Sequence, residues 1–372
     1  NSPFTFDFMR VAFIQNRVQL GGRFQVTFEM TKVLNAMGII PEFYAYRFRI
    51  TDNDILKHYG SAIKIKFNPI PEPKLPFEWN ITNFNRQVNA HLKDYDLVIN
   101  SNNTSLGLDE SINILSYVHY PRKARILKNW TWKTFFKLDR DPFLLNLLLY
   151  NWHLKTSVND LQVANSKFTA EEFENCYHSR ISEILYPPVQ TTLLIADKNP
   201  KQIISLGRFS PNKRQIEQIV MMRELPNYDL YLVGFKNDES YFNKCQKVID
   251  SLWLTNVHLV PDASEEERDK LLSSSTFFLH SLRSEPFGIT TVQGIAAGCI
   301  PIVHNSGGQI EVVEDELLRY NNEAEIPEKI NQLQSKDLMA IRKKLQLHIK
   351  QYDAVSFRRQ FKKILEYKLP KA

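Results

Sequence analysis

Cysteine is scarce: three in 372 residues, Cys176, Cys245 and Cys299, far apart and odd in number. They form neither a disulfide framework nor a metal site, so a reducing compartment is expected. No apolar run reaches the roughly 18 residues of a membrane-spanning helix. The first strand pattern begins almost at once, so no secretory leader is expected. There is no short-period repeat, no zinc-finger or RNA-recognition signature, and no cluster with transition-metal ligand spacing. The net charge of +6 permits an anionic partner and does not point to nucleic acid. Two acidic pairs, 52–54 and 139–141, resemble metal ligands, but the first reads as a helix cap and the second sits in a basic, aromatic stretch. What is present is ordinary for a globular protein, 43% hydrophobic and 24% charged, with length enough for two domains.

The apolar pattern alternates between strand and helix periods twice over. Strands are expected at 10–15, 40–46, 63–67, 97–100, 115–119 and 161–164, with a helix over 25–37. Tyr186-Pro187-Pro188-Val189 is a stiff break, because proline removes donors and biases the residue before it to extended geometry. The pattern then restarts: strand 202–206, helix 213–223, strand 228–233, helix 239–252, strand 257–260, helix 264–273, strand 276–280, helix 288–297, strand 300–303. A last helix over 354–368 can pack on either half. Alternation at this density predicts an α/β protein with two doubly wound parallel sheets. Such sheets bind ligands at the carboxyl ends of their strands.

The segment 284–308 is the most informative. It runs from an apolar strand through an acidic turn and a glycine into a helix, then Ala-Ala-Gly, a second strand and Gly307-Gly308. The helix start near Phe287, Gly288 and Ile289 offers unpaired N–H groups and a positive dipole end, which suit a phosphate. Glu285 does not favour an anion, so it is expected to face hydroxyls. Phosphate beside hydroxyls points to a nucleotide-sugar. Gln293, eight residues on, spans about two helical turns and reads either as a ribose contact or as an ordinary polar helix residue. Arg208 and Lys213 flank the turn after the second half's first strand. They suit a diphosphate, or are simply solvated cations. Gly21-Gly22 allows close backbone approach to a ligand, or is only a tight turn. His119 ends a strand, where it can reach a sugar or be a hydrogen-bonded core histidine. From Arg122 to Lys137 the chain carries six cations before its first acid, including Lys123, with Trp130 and Trp132 among them. That mix suits an anionic membrane surface or a lipid-phosphate acceptor; the alternative is a buried helix pair with a solvated basic face.

Taken in order, Gly21-Gly22, Val163-Ala164-Asn165-Ser166-Lys167-Phe168-Thr169, Gly207-Arg208-Phe209 with Lys213, Glu285-Pro286-Phe287-Gly288-Ile289, Ala297-Gly298 and Ser306-Gly307-Gly308 resemble the retaining GT-B glycosyltransferases of family four. Tyr117-Val118-His119-Tyr120-Pro121, Tyr186-Pro187-Pro188 and His304-Asn305-Ser306-Gly307-Gly308 are similar to segments of the mannosyltransferases that extend dolichol-linked oligosaccharides. The resemblance implies two Rossmann-like domains facing a cleft. An acceptor-binding domain would take 1–190 plus 352–372, its last helix crossing back, and a nucleotide-sugar domain 191–351. It implies retaining transfer of a hexose, mannose from GDP-mannose, to a lipid-linked glycan at the cytoplasmic face of a membrane, with neither cofactor nor metal. Gly22 would approach the donor phosphate and His119 the transferred sugar. Arg208 and Lys213 would bind the diphosphate, and Glu285 with the N–H groups of Phe287, Gly288 and Ile289 would hold sugar and phosphate. Where the family's pattern has a second glutamate this chain has Gln293, which keeps an acceptor. Two alternatives remain open: a UDP-sugar-dependent glucosyl- or N-acetylglucosaminyltransferase, and a non-catalytic carbohydrate-binding protein of the same fold.

Overall fold

The structure is a computed structural model and describes residues 9–72, 77–103, 105, 107–121, 160–193 and 196–368. The chain divides into two compact units, one of 1–188 with 355–372, the other of 189–354.

The first unit opens with β1 (Val11–Ile14), β2 (Arg17–Val18) and α1 (Gly22–Ala36). It continues through β3 (Glu42–Ala45), β4 (Arg47–Phe48), α2 (Asp52–Tyr59), β5 (Lys66–Pro69), α3 (Phe77–Leu92), β6 (Leu97–Asn100) and β7 (Ile114–Val118). It goes on with β8 (Asp160–Ala164), α4 (Lys167–Tyr177) and β9 (Glu183–Ile184). Seven strands form one parallel sheet in the order β5-β3-β1-β6-β7-β8-β9. β1, β6 and β7 are buried throughout, as a parallel sheet covered on both faces requires. Phe13 stacks on Phe43 across the β1–β3 pair, with ring centroids 4.4 Å apart. The chain winds outward from β1 to β3 and β5, then returns to place β6 on the other side of β1, so the order reverses between β1 and β6.

One expected boundary moves for a local reason. The strand expected at 63–67 lies at Lys66–Pro69, because the Asn35 side chain pairs with both backbone groups of Lys64 ahead of the ladder. The cap of α2 is Thr51, with Asp54 closing a capping box, so the acidic pair at 52–54 belongs to a helix start.

The second unit holds β10 (Asn199–Leu206), α5 (Gln215–Met221), β11 (Asp229–Gly234), α6 (Glu239–Ser251), β12 (Val257–Pro261), α7 (Glu265–Ser274) and β13 (Ser275–His280). Then come α8 (Ile289–Ala296), β14 (Ile300–His304), α9 (Gln309–Val312), β15 (Arg319–Tyr320), α10 (Ile326–Gln334) and α11 (Leu338–Ile349). Its six-stranded parallel sheet runs β12-β11-β10-β13-β14-β15, with the reversal between β10 and β13. The helix expected over 213–223 is interrupted. Lys213 ends a 3-10 turn, Pro211–Lys213, and Arg214 at φ 58° separates that turn from α5. A left-handed residue cannot continue an α-helix.

The final helix, α12 (Ala354–Lys368), packs on the first unit. Phe357, Phe361, Ile364 and Leu365 join the cluster of Phe13, Phe24, Phe28 and Phe43. Its Arg358 pairs with Glu29 of α1. Each such apolar side chain contributes about 1.5–3 kcal/mol by leaving water, which decides the packing that periodicity left open. Replacing the fully buried Phe361 by Ala should lower the first unit's stability by about 3–5 kcal/mol. The expected readout is an earlier urea transition for that unit alone; coincident loss of both units, or no shift, would contradict the packing.

Candidate functional site

A doubly wound sheet opens a crevice where strand order reverses, because the loops on either side diverge. In the second unit that point lies between β10 and β13. The loop after β10 carries Gly207, Arg208 and Lys213; the loop after β13 carries Glu285 and Gly288. Lys213 Nζ donates to Glu285 Oε2 at 3.2 Å, the two side chains 20% and 18% exposed. The same carboxylate oxygen lies 3.5 Å from Nε2 of His280, whose side chain is 3% exposed. An accessible ion pair therefore sits on a buried imidazole.

Glycines make this approach possible. A Cβ at Gly207 would meet Lys213 Cδ at 3.4 Å, so the lysine stem lies across bare backbone. The turn bearing Glu285 rests on the loop after β14. Gly308 N–H donates to Glu285 C=O at 2.8 Å, and Ser284 N–H donates to Ser306 Oγ at 2.9 Å. Glu285 and Gly307 form an isolated parallel bridge. A Cβ at Gly307 would lie 2.5 Å from Glu285 O, and one at Gly308 2.1 Å from Pro286 O. The Ser306-Gly307-Gly308 run is thus a flat bed for the acidic turn.

The helix start beside it is equally open. Gly288, at φ 108°, precedes Ile289 with no side-chain cap and no acid in the first turn of α8. The N–H groups of Thr291 and Val292 both turn to Gly288 C=O. Thr291 is held by Gln309, which in turn donates to Leu282 C=O. Phe287 is buried against Tyr352, ring centroids 5.0 Å apart. Helix entry, carboxylate and lysine are thereby fixed together at one end of the sheet.

One expectation changes. Glu285 lies ahead of the helix, so the eight-residue interval to Gln293 is not two helical turns; Gln293 sits half-buried on α8 itself. Arg208 is exposed in the same loop as Lys213, and its guanidinium makes no ion pair among the described residues. His280 was missed, although its position at the end of an apolar strand, five residues before Glu285, was visible in the chain. Also missed were the contacts of Arg214 with Glu217 and Glu323, at 3.2 and 2.8 Å, and of Arg283 with Glu323 at 3.3 Å.

The first unit builds a second constellation at its own reversal. Asn16 N–H after β1 donates to Asn102 Oδ1 after β6 at 2.8 Å. His119, just past β7, has Nε2 2.9 Å from Ser101 Oγ, and its backbone N–H donates to Asn103 Oδ1 at 2.7 Å. Burial and the Arg23 charge hold its imidazole well below the ordinary histidine range. Arg23 stands in the first turn of α1, behind Gly21 at φ 137°, so Gly21-Gly22 and His119 serve one end of this sheet. Arg122, Lys123, Trp130 and Trp132 lie outside the described residues, as does the acidic pair at 139–141. Among the described residues no group of three or more His, Cys, Asp or Glu side chains is placed to hold a metal ion, and no helix is long and apolar enough to cross a membrane.

Burial, and then the Lys213 charge, push the His280 imidazole down to about 3, against the pull of Glu285. Between about pH 6.5 and 3 the unfolded chain would bind a proton here that the folded chain refuses. This site's contribution to stability is therefore present above that window and lost as pH falls through it. Urea unfolding of the second unit across pH 7 to 4 should show a steeper loss in the wild type than in His280→Leu. Parallel curves would contradict a neutral buried ring.

Residues 194–366 match the family Glycosyl transferases group 1, so the chain carries a glycosyl transferase group 1 domain. It is 30% identical over 227 residues to the human protein named GDP-Man:Man(3)GlcNAc(2)-PP-Dol alpha-1,2-mannosyltransferase, covering 52% of this chain and 46% of that one. It is 24% identical over 250 residues to the Rhizomucor pusillus protein named Alpha-1,3/1,6-mannosyltransferase ALG2, covering 54% of this chain and 53% of that one. The chain spans about half the length of these curated relatives. Among solved structures, Anabaena Alr3699/HepE in complex with UDP and glucose matches with a TM-score of 0.72 at 15% identity, covering 96% of this chain and 99% of that one. WaaG, a glycosyltransferase involved in lipopolysaccharide biosynthesis, matches with a TM-score of 0.72 at 15% identity, covering 95% and 99%. These likenesses show the fold: α/β with parallel sheets in two domains, as in GT-B glycosyltransferases.

Proposed function

We propose, from the glycosyl transferase group 1 domain in this chain, that it is a retaining, metal-independent hexosyltransferase moving mannose from GDP-mannose to a lipid-linked glycan. The names of its mannosyltransferase relatives support the sugar and acceptor class. One observation carries the reading: Lys213 meets Glu285 at 3.2 Å beside an uncapped helix start, at the sheet's reversal. A cation, a hydrogen-bond acceptor and oriented N–H groups together are what a sugar diphosphate needs.

In this reading the nucleotide-sugar domain spans 191–351, and 1–190 with 352–372 receives the acceptor. Lys213 and Arg208 take the diphosphate, with the N–H groups of Phe287, Gly288 and Ile289. Glu285 accepts from hydroxyls of the transferred sugar. Gln293 faces the ribose, Gly22 lets α1 approach the donor phosphate, and a neutral His119 stands near the sugar. The anomeric C–O bond breaks with its electron pair moving to the β-phosphate. The acceptor oxygen bonds the anomeric carbon on the same face, and its proton passes to the departing phosphate. Negative charge grows where the cations and the α8 dipole are aimed, so they act more strongly in the transition state than on the bound donor.

Losing one preorganised contact of this kind costs about 3–4 kcal/mol, a rate loss of roughly 100-fold or more. Glu285→Ala and Lys213→Ala should each lose at least that much transfer of radiolabelled sugar to a polyprenyl-linked acceptor, with circular dichroism unchanged. Normal turnover by either variant would end the assignment. Calorimetry on the same protein should show GDP binding more tightly than UDP; the reverse order would move the donor to a UDP-sugar, and no nucleotide binding would favour a non-catalytic role.

The proposed place of work is the cytoplasmic face of a membrane, with Arg122, Lys123, Trp130 and Trp132 contacting anionic lipid. Cations neutralise the surface and tryptophans settle at the interface. Co-sedimentation with anionic vesicles at low salt should fall off as salt rises, and failure to sediment would remove this contact.

A further inference from the structure

Lys213 has two claims on it. In this structure it pairs with Glu285 Oε2 at 3.2 Å, and in the proposed function it turns to a diphosphate. When it turns, the partly buried carboxylate loses that cation, and a fixed protein donor at the same oxygen would hold it ionised and oriented toward the sugar hydroxyls. The groups around that oxygen supply one candidate. His280 leaves the carboxyl end of β13 with its side chain 3% exposed and Nε2 3.5 Å from the same Oε2. Neither ring nitrogen has an aligned hydrogen-bond partner. A buried polar group left in that state in a native fold calls for an explanation.

We propose that His280 is a positioning residue for Glu285, its Nε2–H taking over the carboxylate when Lys213 engages the diphosphate. The ring is well held for that task. Phe278 stacks alongside it, and Tyr320 Oη donates to its backbone carbonyl at 3.5 Å. The charged groups acting on it are Lys213 and Glu285. A neutral ring suits the role better than a cation. It donates one directed hydrogen bond without cancelling the carboxylate's charge or competing for the phosphate. Closing 3.5 Å to a hydrogen bond of about 2.9 Å needs only a small rotation of the Glu285 side chain.

The proposal rests on the functional reading for the ligand that recruits Lys213, and its test separates the two. His280→Gln keeps an N–H donor near the Nε2 position. His280→Asn places it near Nδ1, and His280→Leu keeps volume without a donor. In the full chain, 15N NMR should show wild-type His280 as the neutral Nε2–H tautomer from pH 5 to 8. By 13C NMR in a Lys213→Ala background, which leaves the carboxylate as it is when the lysine turns away, the Glu285 carboxyl should titrate about one unit higher with His280→Leu or His280→Asn added than without, and near the parent with His280→Gln. Sugar transfer should fall roughly tenfold for Leu and Asn, mainly in kcat, and be largely kept by Gln. An Nδ1–H tautomer, an unmoved Glu285 titration when His280→Leu is added, or equal losses in all three variants would overturn the proposal. If Glu285→Ala turns over normally, the functional reading falls, while the two NMR measurements still decide the His280–Glu285 contact.

Discussion

The arrangement in the second unit depends on one steric contact: the backbone of 284–287 laid directly on the backbone of 306–308. With Cβ atoms excluded at 2.5 and 2.1 Å, no residue other than glycine fits at Gly307 and Gly308 without moving the acidic turn. That contact sets where Glu285 points, because its carbonyl is tied to Gly308 N–H and its neighbour Ser284 to Ser306. It also sets where α8 begins, since Phe287 and Gly288 follow from the same turn. The backbone that bears the carboxylate and the backbone that starts the helix are thus one piece, held by a loop that carries no charge of its own.

Electrostatics then explains how that piece keeps a carboxylate beside a helix start. A bare helix start attracts negative charge, and a carboxylate beside it would ordinarily repel what the helix attracts. Lys213 resolves the conflict by neutralising Glu285 across the β10–β13 reversal. The buried His280 beneath stays uncharged because desolvation outweighs the carboxylate's pull. The ion pair sits at the accessible level of the site, and the imidazole below it is neutral. The first unit uses the same grammar with other words. A glycine-opened helix start, α1, is placed near a histidine held neutral by burial, with serine and asparagine side chains from the loops after β6 fixing its ring and backbone.

Much of this was legible in the chain. Apolar runs such as Val11–Ile14 and the stretch 277–279 inside β13 stand out because a strand buried on both faces has few polar residues to confuse its period. Gly21, Gly288 and Gly307 all have positive φ, so their presence reported real backbone demands. Errors fell where a side chain replaced a backbone bond or a single dihedral interrupted a pattern. Asn35 satisfies Lys64 and delays β5, and Arg214 in the left-handed region detaches Lys213 from α5. The helical count from Glu285 to Gln293 failed for the same kind of reason, since periodicity carries no meaning across Gly288.

By itself the sequence determined the strand and helix alternation, the break at Pro187-Pro188, the glycine-rich turns and the types of side chain available at the strand ends. These are local properties, written in residue spacing and backbone freedom. Tertiary structure alone decided that Lys213 pairs with Glu285 across 72 residues, that His280 lies beneath them, and that α12 returns to the first unit's core. Those outcomes depend on strand order and on which apolar face finds cover. Both are settled by the energy of the assembled sheet, and no stretch of chain contains that energy in isolation.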